Sequence, residues 1–100
     1  MSTKGLAVVL AENIYENLEL HYPRLRLIEA GYDVKVVGPQ KGATYGSKEG
    51  YPVIADATFD EIDPKHVKIL IVPGGFAPDK LRRYAACNTL VAEAWAAGAV

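Results

Sequence analysis

The stretch that most constrains this chain is Lys68-Ile69-Leu70-Ile71-Val72-Pro73-Gly74-Gly75, followed at once by Phe76-Ala77-Pro78-Asp79. An unbroken apolar, β-branched run suits a strand covered on both faces, the condition of a parallel sheet between helices. Proline and two glycines then force a sharp exit. Glycine has no Cβ, so its main-chain N–H can approach another group closely. In open α/β sheets, ligands lie beyond the carboxyl ends of the strands, where this turn falls. The chain therefore presents a backbone donor at a site-forming position.

The 100 residues are enough for one small domain with a modest core. A formal net charge of −1 removes any electrostatic case for nucleic acid or an anionic membrane surface. No apolar run reaches the length of a membrane-spanning helix. Met1-Ser2-Thr3-Lys4 leads into the first strand without a signal-peptide pattern. Cys87 is the single cysteine, so no internal disulfide forms, and a reducing, cytoplasmic setting is expected.

Along the chain, Gly5 to Ala11 reads as a first buried strand and Glu12-Asn13 as a loop. A helical pattern runs from Glu16 to Ala30, with Leu18, Tyr22, Leu25 and Ile28 on one side as its apolar face and Gly31 as the C-terminal stop. Asp33 to Gly38 is a second strand, so strand–helix–strand implies a parallel crossover. Gly42, Gly46 and Gly50 mark turns and a hairpin tip; Tyr51 to Thr58 is extended, at an edge. Phe59 to Pro64 reads as a short helical turn or an irregular link. After the run that ends at Pro73, Lys80 to Tyr84 forms a short helix. Asn88 caps a longer one over Thr89 to Ala97, with Leu90, Val91, Ala94 and Trp95 as its apolar side. Gly98 ends that helix and Ala99-Val100 begins a fourth strand.

This order leaves the third parallel strand with an open apolar edge, which another polypeptide should cover. The expectation is the N-terminal part of a longer domain, or a domain whose second half is supplied as a separate chain.

Pro73-Gly74-Gly75 with Ala77-Pro78-Asp79 and Leu81-Arg82 resembles the DJ-1/PfpI family, especially its intracellular-protease branch. Glu16-Asn17-Leu18-Glu19 with Pro23 resembles that family's acidic first helix. Leu27 to Val34 resembles its helix-to-strand turn, and Gly50 to Asp56 with Thr58-Phe59-Asp60-Glu61 its middle segment. The resemblance covers essentially the whole chain. It implies a flavodoxin-like three-layer α/β sandwich with a mainly parallel sheet, present here as the N-terminal part. It also implies a nucleophilic cysteine on a strand-to-helix turn just beyond Val100, outside this sequence.

The same resemblance gives Glu19 the part of hydrogen-bonding the nucleophilic sulfur, and Gly75 that of donating its N–H to the sulfur or to a developing oxyanion. Gly74 would provide the turn. Asp79 matches an acid that orients a histidine across a subunit interface; it also reads simply as a cap for the helix near Lys80. Glu16 either shapes the pocket or is a first-turn acid complementing the helix dipole. Asn13 and Tyr15 stand where they could line the mouth, and Arg82 and Arg83 read as a solvated face. Cys87 is not on a strand-to-helix elbow and no histidine follows it, so it reads as structural. His21 and His66 lack metal-site spacing, and no glycine pattern for nucleotide binding is present.

These readings give a cysteine-dependent hydrolase acting on peptides or on reactive carbonyls in the glyoxalase or deglycase manner. It would need no cofactor and would assemble as a homo-oligomer. The alternatives are a non-catalytic binding, chaperone-like or stress-related module without the nucleophile, and a flavodoxin-like domain that binds a phosphate ligand at its first loop.

Overall fold

The computed structural model describes residues 4–100. Met1, Ser2 and Thr3, read above as the lead-in to the first strand, lie outside them. Strand β1 (Leu6–Leu10) takes the centre of a four-stranded sheet. Its Ala7, Val8, Val9 and Leu10 are all buried, as an unbroken apolar strand requires. On one side it pairs in parallel with β2 (Asp33–Gly38), Leu6 opposite Asp33 through Leu10 opposite Val37.

Between β2 and the strand on β1's other side the chain makes β3 (Thr44–Gly46), β4 (Pro52–Ile54) and β5 (Ala57–Thr58). Short 3-10 turns at Phe59–Glu61 and Pro64–His66 follow. Strand β6 (Val67–Ile71) is the run with which the sequence reading began, and it pairs in parallel with β1. The sheet order is β5-β2-β1-β6, while β3 and β4 form a separate antiparallel hairpin.

Side chains alternate across a strand, so β1 feeds two cores. Val8 and Leu10 join Phe59, Ile62, Cys87, Leu90 and Ala94 on one face. Val9 and Ala11 join Tyr15, Leu20, Tyr45 and Val53 on the other. Helix α1 (Asn17–Glu29) and the hairpin thus cover one face and α3 (Ala85–Ala96) the other, with α2 (Ala77–Leu81) following the turn after β6. This is the three-layer, mainly parallel α/β arrangement that the sequence implied.

Four details differ from the sequence reading. The short helix begins at Ala77, three residues before Lys80, because Pro78 fits a first helical turn where no N–H partner is needed. The longer helix begins at Ala85, so Asn88 is inside it; its side-chain amide donates to the carbonyl of Arg82 and ties the two helices together. On that helix Leu90 and Ala94 are buried but Trp95 faces out. On α1 the stripe Leu18, Tyr22, Leu25 and Ile28 exists as spaced but points to solvent, and Leu20 is the fully buried side chain. Apolar spacing fixes which residues share a face; it does not say which face meets the sheet.

Val100 donates its N–H to Lys68 and accepts from the N–H of Leu70, so the outer edge of β6 is main-chain paired there.

Candidate active site

The site grows from the ends of β1 and β6. Pro73 is fully buried and anchors the turn. Gly75 carries the left-handed conformation, φ +82°, and a Cβ there would stand 2.6 Å from the carbonyl oxygen of Ile14. The main chain of this turn lies against the loop after β1. Glu16 N–H donates to the Gly74 carbonyl (3.0 Å) and Phe76 N–H donates to the Ile14 carbonyl (2.8 Å). Gly75 is exposed, and among the described residues its own N–H has no acceptor.

Gly74 has a different part from the one expected. Its N–H donates to Glu19 Oε1 at 2.6 Å, and a Cβ at Gly74 would collide with that oxygen. The turning residue is therefore Gly75, and Gly74 is small to admit the Glu19 carboxylate. Glu19 reaches it from the first turn of α1, where the positive end of the helix dipole favours an acid. Pro23 lies inside the same helix; it has no N–H, so the Glu19 carbonyl lacks its usual partner four residues on.

Glu16 caps α1, its Oε1 accepting from Leu18 N–H at 3.3 Å, and its Oε2 pairs with Lys48 Nζ at 3.3 Å. Lys48 is delivered by the hairpin tip. Tyr15 bridges to Ser47 on one side and to Gly75 on the other, so three segments run side by side at the mouth. Asn13 helps hold them, its Oδ1 accepting from Gly46 N–H at 3.0 Å. Glu16, Glu19, Gly74 and Gly75 are thus brought together. Asp79 is not among them: it lies in the first turn of α2, exposed, paired with Arg82 at 3.4 Å. Nor does it cap a helix beginning at Lys80, since Phe76 precedes the first helical residue.

Sequence reasoning missed three features. Glu12 is 6% exposed, its Oε1 accepting from Asn13 N–H and its Oε2 from the Tyr84 hydroxyl at 2.9 Å. That bond raises the Tyr84 phenol above its ordinary range, with burial and the Glu12 charge adding to it. Its only sequence signal was an acid placed directly after a buried strand.

The second is a latch. The Tyr15 hydroxyl donates to the Tyr51 carbonyl at 2.7 Å and lies 2.7 Å from His21 Nε2. A phenol has one proton to give, so His21 must be the donor in the second bond, with its proton on Nε2. Burial, with smaller contributions from Tyr51 and Glu49, pushes the Tyr15 phenol up to about 12. Burial, then the nearby Arg24 charge, lowers His21.

The third is Ile14, a β-branched residue held at φ +64° between the Gly46 carbonyl, which accepts from its N–H, and Phe76 N–H, which donates to its carbonyl. Such a conformation costs free energy and persists only where neighbours over-determine it.

Cys87 lies in the first turn of α3, buried in the core, and burial pushes its thiol up to about 11, the opposite of an activated nucleophile. Among the described residues no His, Cys, Asp or Glu cluster is assembled for a metal, and no helix is long and apolar enough to cross a membrane.

The model of the DJ-1/PfpI family matches residues 5–100. The chain is 44% identical over 73 residues to the deglycase PfpI of Pyrococcus furiosus, covering 73% of this chain and 43% of that protein. It is 43% identical over 75 residues to a deglycase of Thermococcus kodakarensis, covering 75% and 45%. A crystal structure from Anabaena variabilis, a two-domain protein with DJ-1/ThiJ/PfpI-like and ferritin-like domains, superposes with a TM-score of 0.93 at 33% identity, covering 97% of this chain and 28% of that one. Oxidised DJ-1 of Toxoplasma gondii, at 21% identity and a TM-score of 0.85, shares the fold. The chain spans less than half the length of these curated relatives. A turn after β6 built on Pro73, Gly74 and Gly75, a glutamate on α1 bonded to it, and a family match over residues 5–100 together place this chain in the DJ-1/PfpI family.

Proposed function

We propose that this chain supplies the acid and backbone-donor half of a cysteine-dependent site acting on reactive carbonyls, of the deglycase kind named for its relatives. The observation that carries the reading is the Glu19–Gly74 hydrogen bond beside an exposed Gly75 N–H that has no acceptor among the described residues. In this reading a thiolate from polypeptide beyond Val100 adds to the carbonyl carbon. The carbonyl π electrons move to oxygen, and the Gly75 N–H stabilises the resulting alkoxide, a charge absent from the ground state. In this reading the second oxygen of Glu19 exchanges a proton with the sulfur, and Glu16 with Lys48 forms the rim. Asp79 on α2 would orient a histidine of a neighbouring subunit, so the working form is a homo-oligomer. The lone buried Cys87 accords with a reducing, cytoplasmic setting. Peptide hydrolysis would draw on the same thiolate and the same donor.

A non-catalytic binding module is the second reading, favoured by the exposed Val72, Trp95 and Val100 around β6 and α3. The deciding experiment uses protein purified from its natural source: its intact mass under denaturing conditions, then turnover of methylglyoxal and of a glycated amino acid. A mass well above 10.8 kDa, or a second co-purifying fragment, with turnover that Glu19→Ala lowers at least about 100-fold, is expected. A single species near 10.8 kDa without turnover would overturn the enzyme reading in favour of the module.

A further inference from the structure

Two apolar residues flank Gly75 and belong to neither core. Phe76 follows Gly75 directly, and Ile14 meets it from the loop after β1, the Phe76 N–H donating to the Ile14 carbonyl at 2.8 Å. Phe76 is 62% exposed and Ile14 39%. Exposed apolar residues scattered singly are ordinary. These two are not scattered, because a main-chain hydrogen bond joins them at the turn whose donor stands open. Ile14 also holds φ +64°, which glycine or asparagine adopts at lower cost than a β-branched residue. An exposed isoleucine returns little packing for that strain. A local rule broken without gain to the fold points to function. The polar side chains nearby are engaged within the chain: Asn13 Oδ1 by Gly46 N–H, Glu19 Oε1 by Gly74 N–H, and Glu16 by Leu18 N–H and Lys48. Ile14 and Phe76 are left as apolar surface beside the open donor.

We propose that Ile14 and Phe76 determine specificity at this mouth, selecting a carbonyl compound whose oxygen accepts from the Gly75 N–H and whose bulky hydrocarbon substituent lies against the two side chains. The favoured substrate is a 2-oxoaldehyde, or an adduct of one, with a branched or aromatic group in place of methyl. For its chemistry this rests on the carbonyl reading above; for binding it rests only on the open donor and the two apolar side chains. An isobutyl group in place of methyl adds three carbons, and covering half of that surface is worth about tenfold in affinity.

The test uses the protein at its natural length and two readouts. Turnover of 4-methyl-2-oxopentanal is compared with that of methylglyoxal. In parallel, NMR follows the amide signals of Gly75, Ile14 and Phe76 as isovaleramide or acetamide is added, carbonyl compounds with the same two substituents that a thiolate does not consume. The isobutyl aldehyde should have the higher kcat/KM by about tenfold, chiefly through a lower KM. Isovaleramide should shift the Gly75 amide at about one-tenth of the concentration that acetamide needs. Ile14→Asn and Phe76→Ala should each reduce both ratios at least about threefold, while Trp95→Ala, on α3, should change neither. Phe76→Ala removes an exposed side chain and keeps the main-chain bond, so it decides the matter should Ile14→Asn fail to fold. No turnover of either aldehyde would overturn the enzyme reading alone, and the amide signals would then decide this proposal. Equal response to the two amides would overturn it. So would a preference that survives both substitutions, or isovaleramide shifts confined to residues around Trp95.

Discussion

Glu19 Oε1 accepts the main-chain hydrogen bond of Gly74 at 2.6 Å across 55 positions of sequence. Because Glu19 is on α1 and Gly74 follows β6, one hydrogen bond ties the helix beside β1 to the turn at the mouth of the sheet. A bond to an ionised acceptor stabilises more than a neutral one, so removing it with Glu19→Ala should cost about 1 kcal/mol at this exposed position. Glu19→Gln keeps an acceptor oxygen and should recover at least half of that loss. Chemical denaturation of the three proteins checks the order, and equal stability of all three would show that the bond contributes nothing.

The two glycines should fail in different ways. Gly75→Ala forces a Cβ into a left-handed backbone position and against the Ile14 carbonyl oxygen at 2.6 Å. Because that neighbour is main chain, it cannot step aside, and a loss of about 2–4 kcal/mol is expected. Gly74→Ala meets the flexible end of Glu19 instead. The carboxylate can swing away, so the loss should be near that of Glu19→Ala. The double variant Gly74→Ala/Glu19→Ala should cost little beyond either single one, and strict additivity would contradict a shared contact.

These glycines show how far the sequence could be read. The run before Pro73 identified a parallel strand, but not its burial: Ile69, Leu70 and Ile71 are only partly covered and Val72 is exposed, where full cover on both faces was expected. The family resemblance singled out Glu19 and Gly75. Which glycine turns and which makes room was not readable. Both lack a Cβ, and only the position of Glu19 in three dimensions separates them. The stripe Leu18, Tyr22, Leu25 was visible as a period, yet its direction depended on Leu20 winning the place against the sheet. The hydrogen bonds of Tyr15 and Glu12, and the part of His21 beside Tyr15, escaped for a similar reason: the partners Tyr51 and Tyr84 are distant in sequence, and no local pattern announces a long-range hydrogen bond.

The latch at the hairpin tip predicts a pH dependence of stability. His21 titrates below its ordinary 6.5 in the folded chain, from burial first and Arg24 second. The unfolded chain then binds the proton more readily, so stability rises with pH across this window. The contribution is fully present above about 6.5 and is lost as pH falls through that value toward the lower folded one. In a His21→Gln variant this part of the pH profile should flatten. An unchanged slope between pH 7 and 5 would assign it to other groups.

Cys87 offers a probe of opening. With its thiol pushed up to about 11 by burial, it should be nearly silent toward a disulfide reagent in the native chain. Its labelling rate should follow the population of opened chain as denaturant is added. Rapid native labelling would refute both the burial and the structural role of this residue.

Ile14 provides the last check, on strain at the mouth. Its φ of +64° is a conformation that β-branched residues resist by about 1–2 kcal/mol and that asparagine accepts more readily. The side chain is partly exposed, so little packing is lost on replacement. Ile14→Asn should therefore stabilise the fold, by up to about 1 kcal/mol. The main-chain bonds to Gly46 and Phe76 do not involve the side chain and should persist, observable as unchanged amide exchange at both Ile14 and Phe76. If Ile14→Asn destabilises instead, the isoleucine side chain itself is needed at the mouth, and its retention in a strained backbone would reflect contact with whatever the mouth receives.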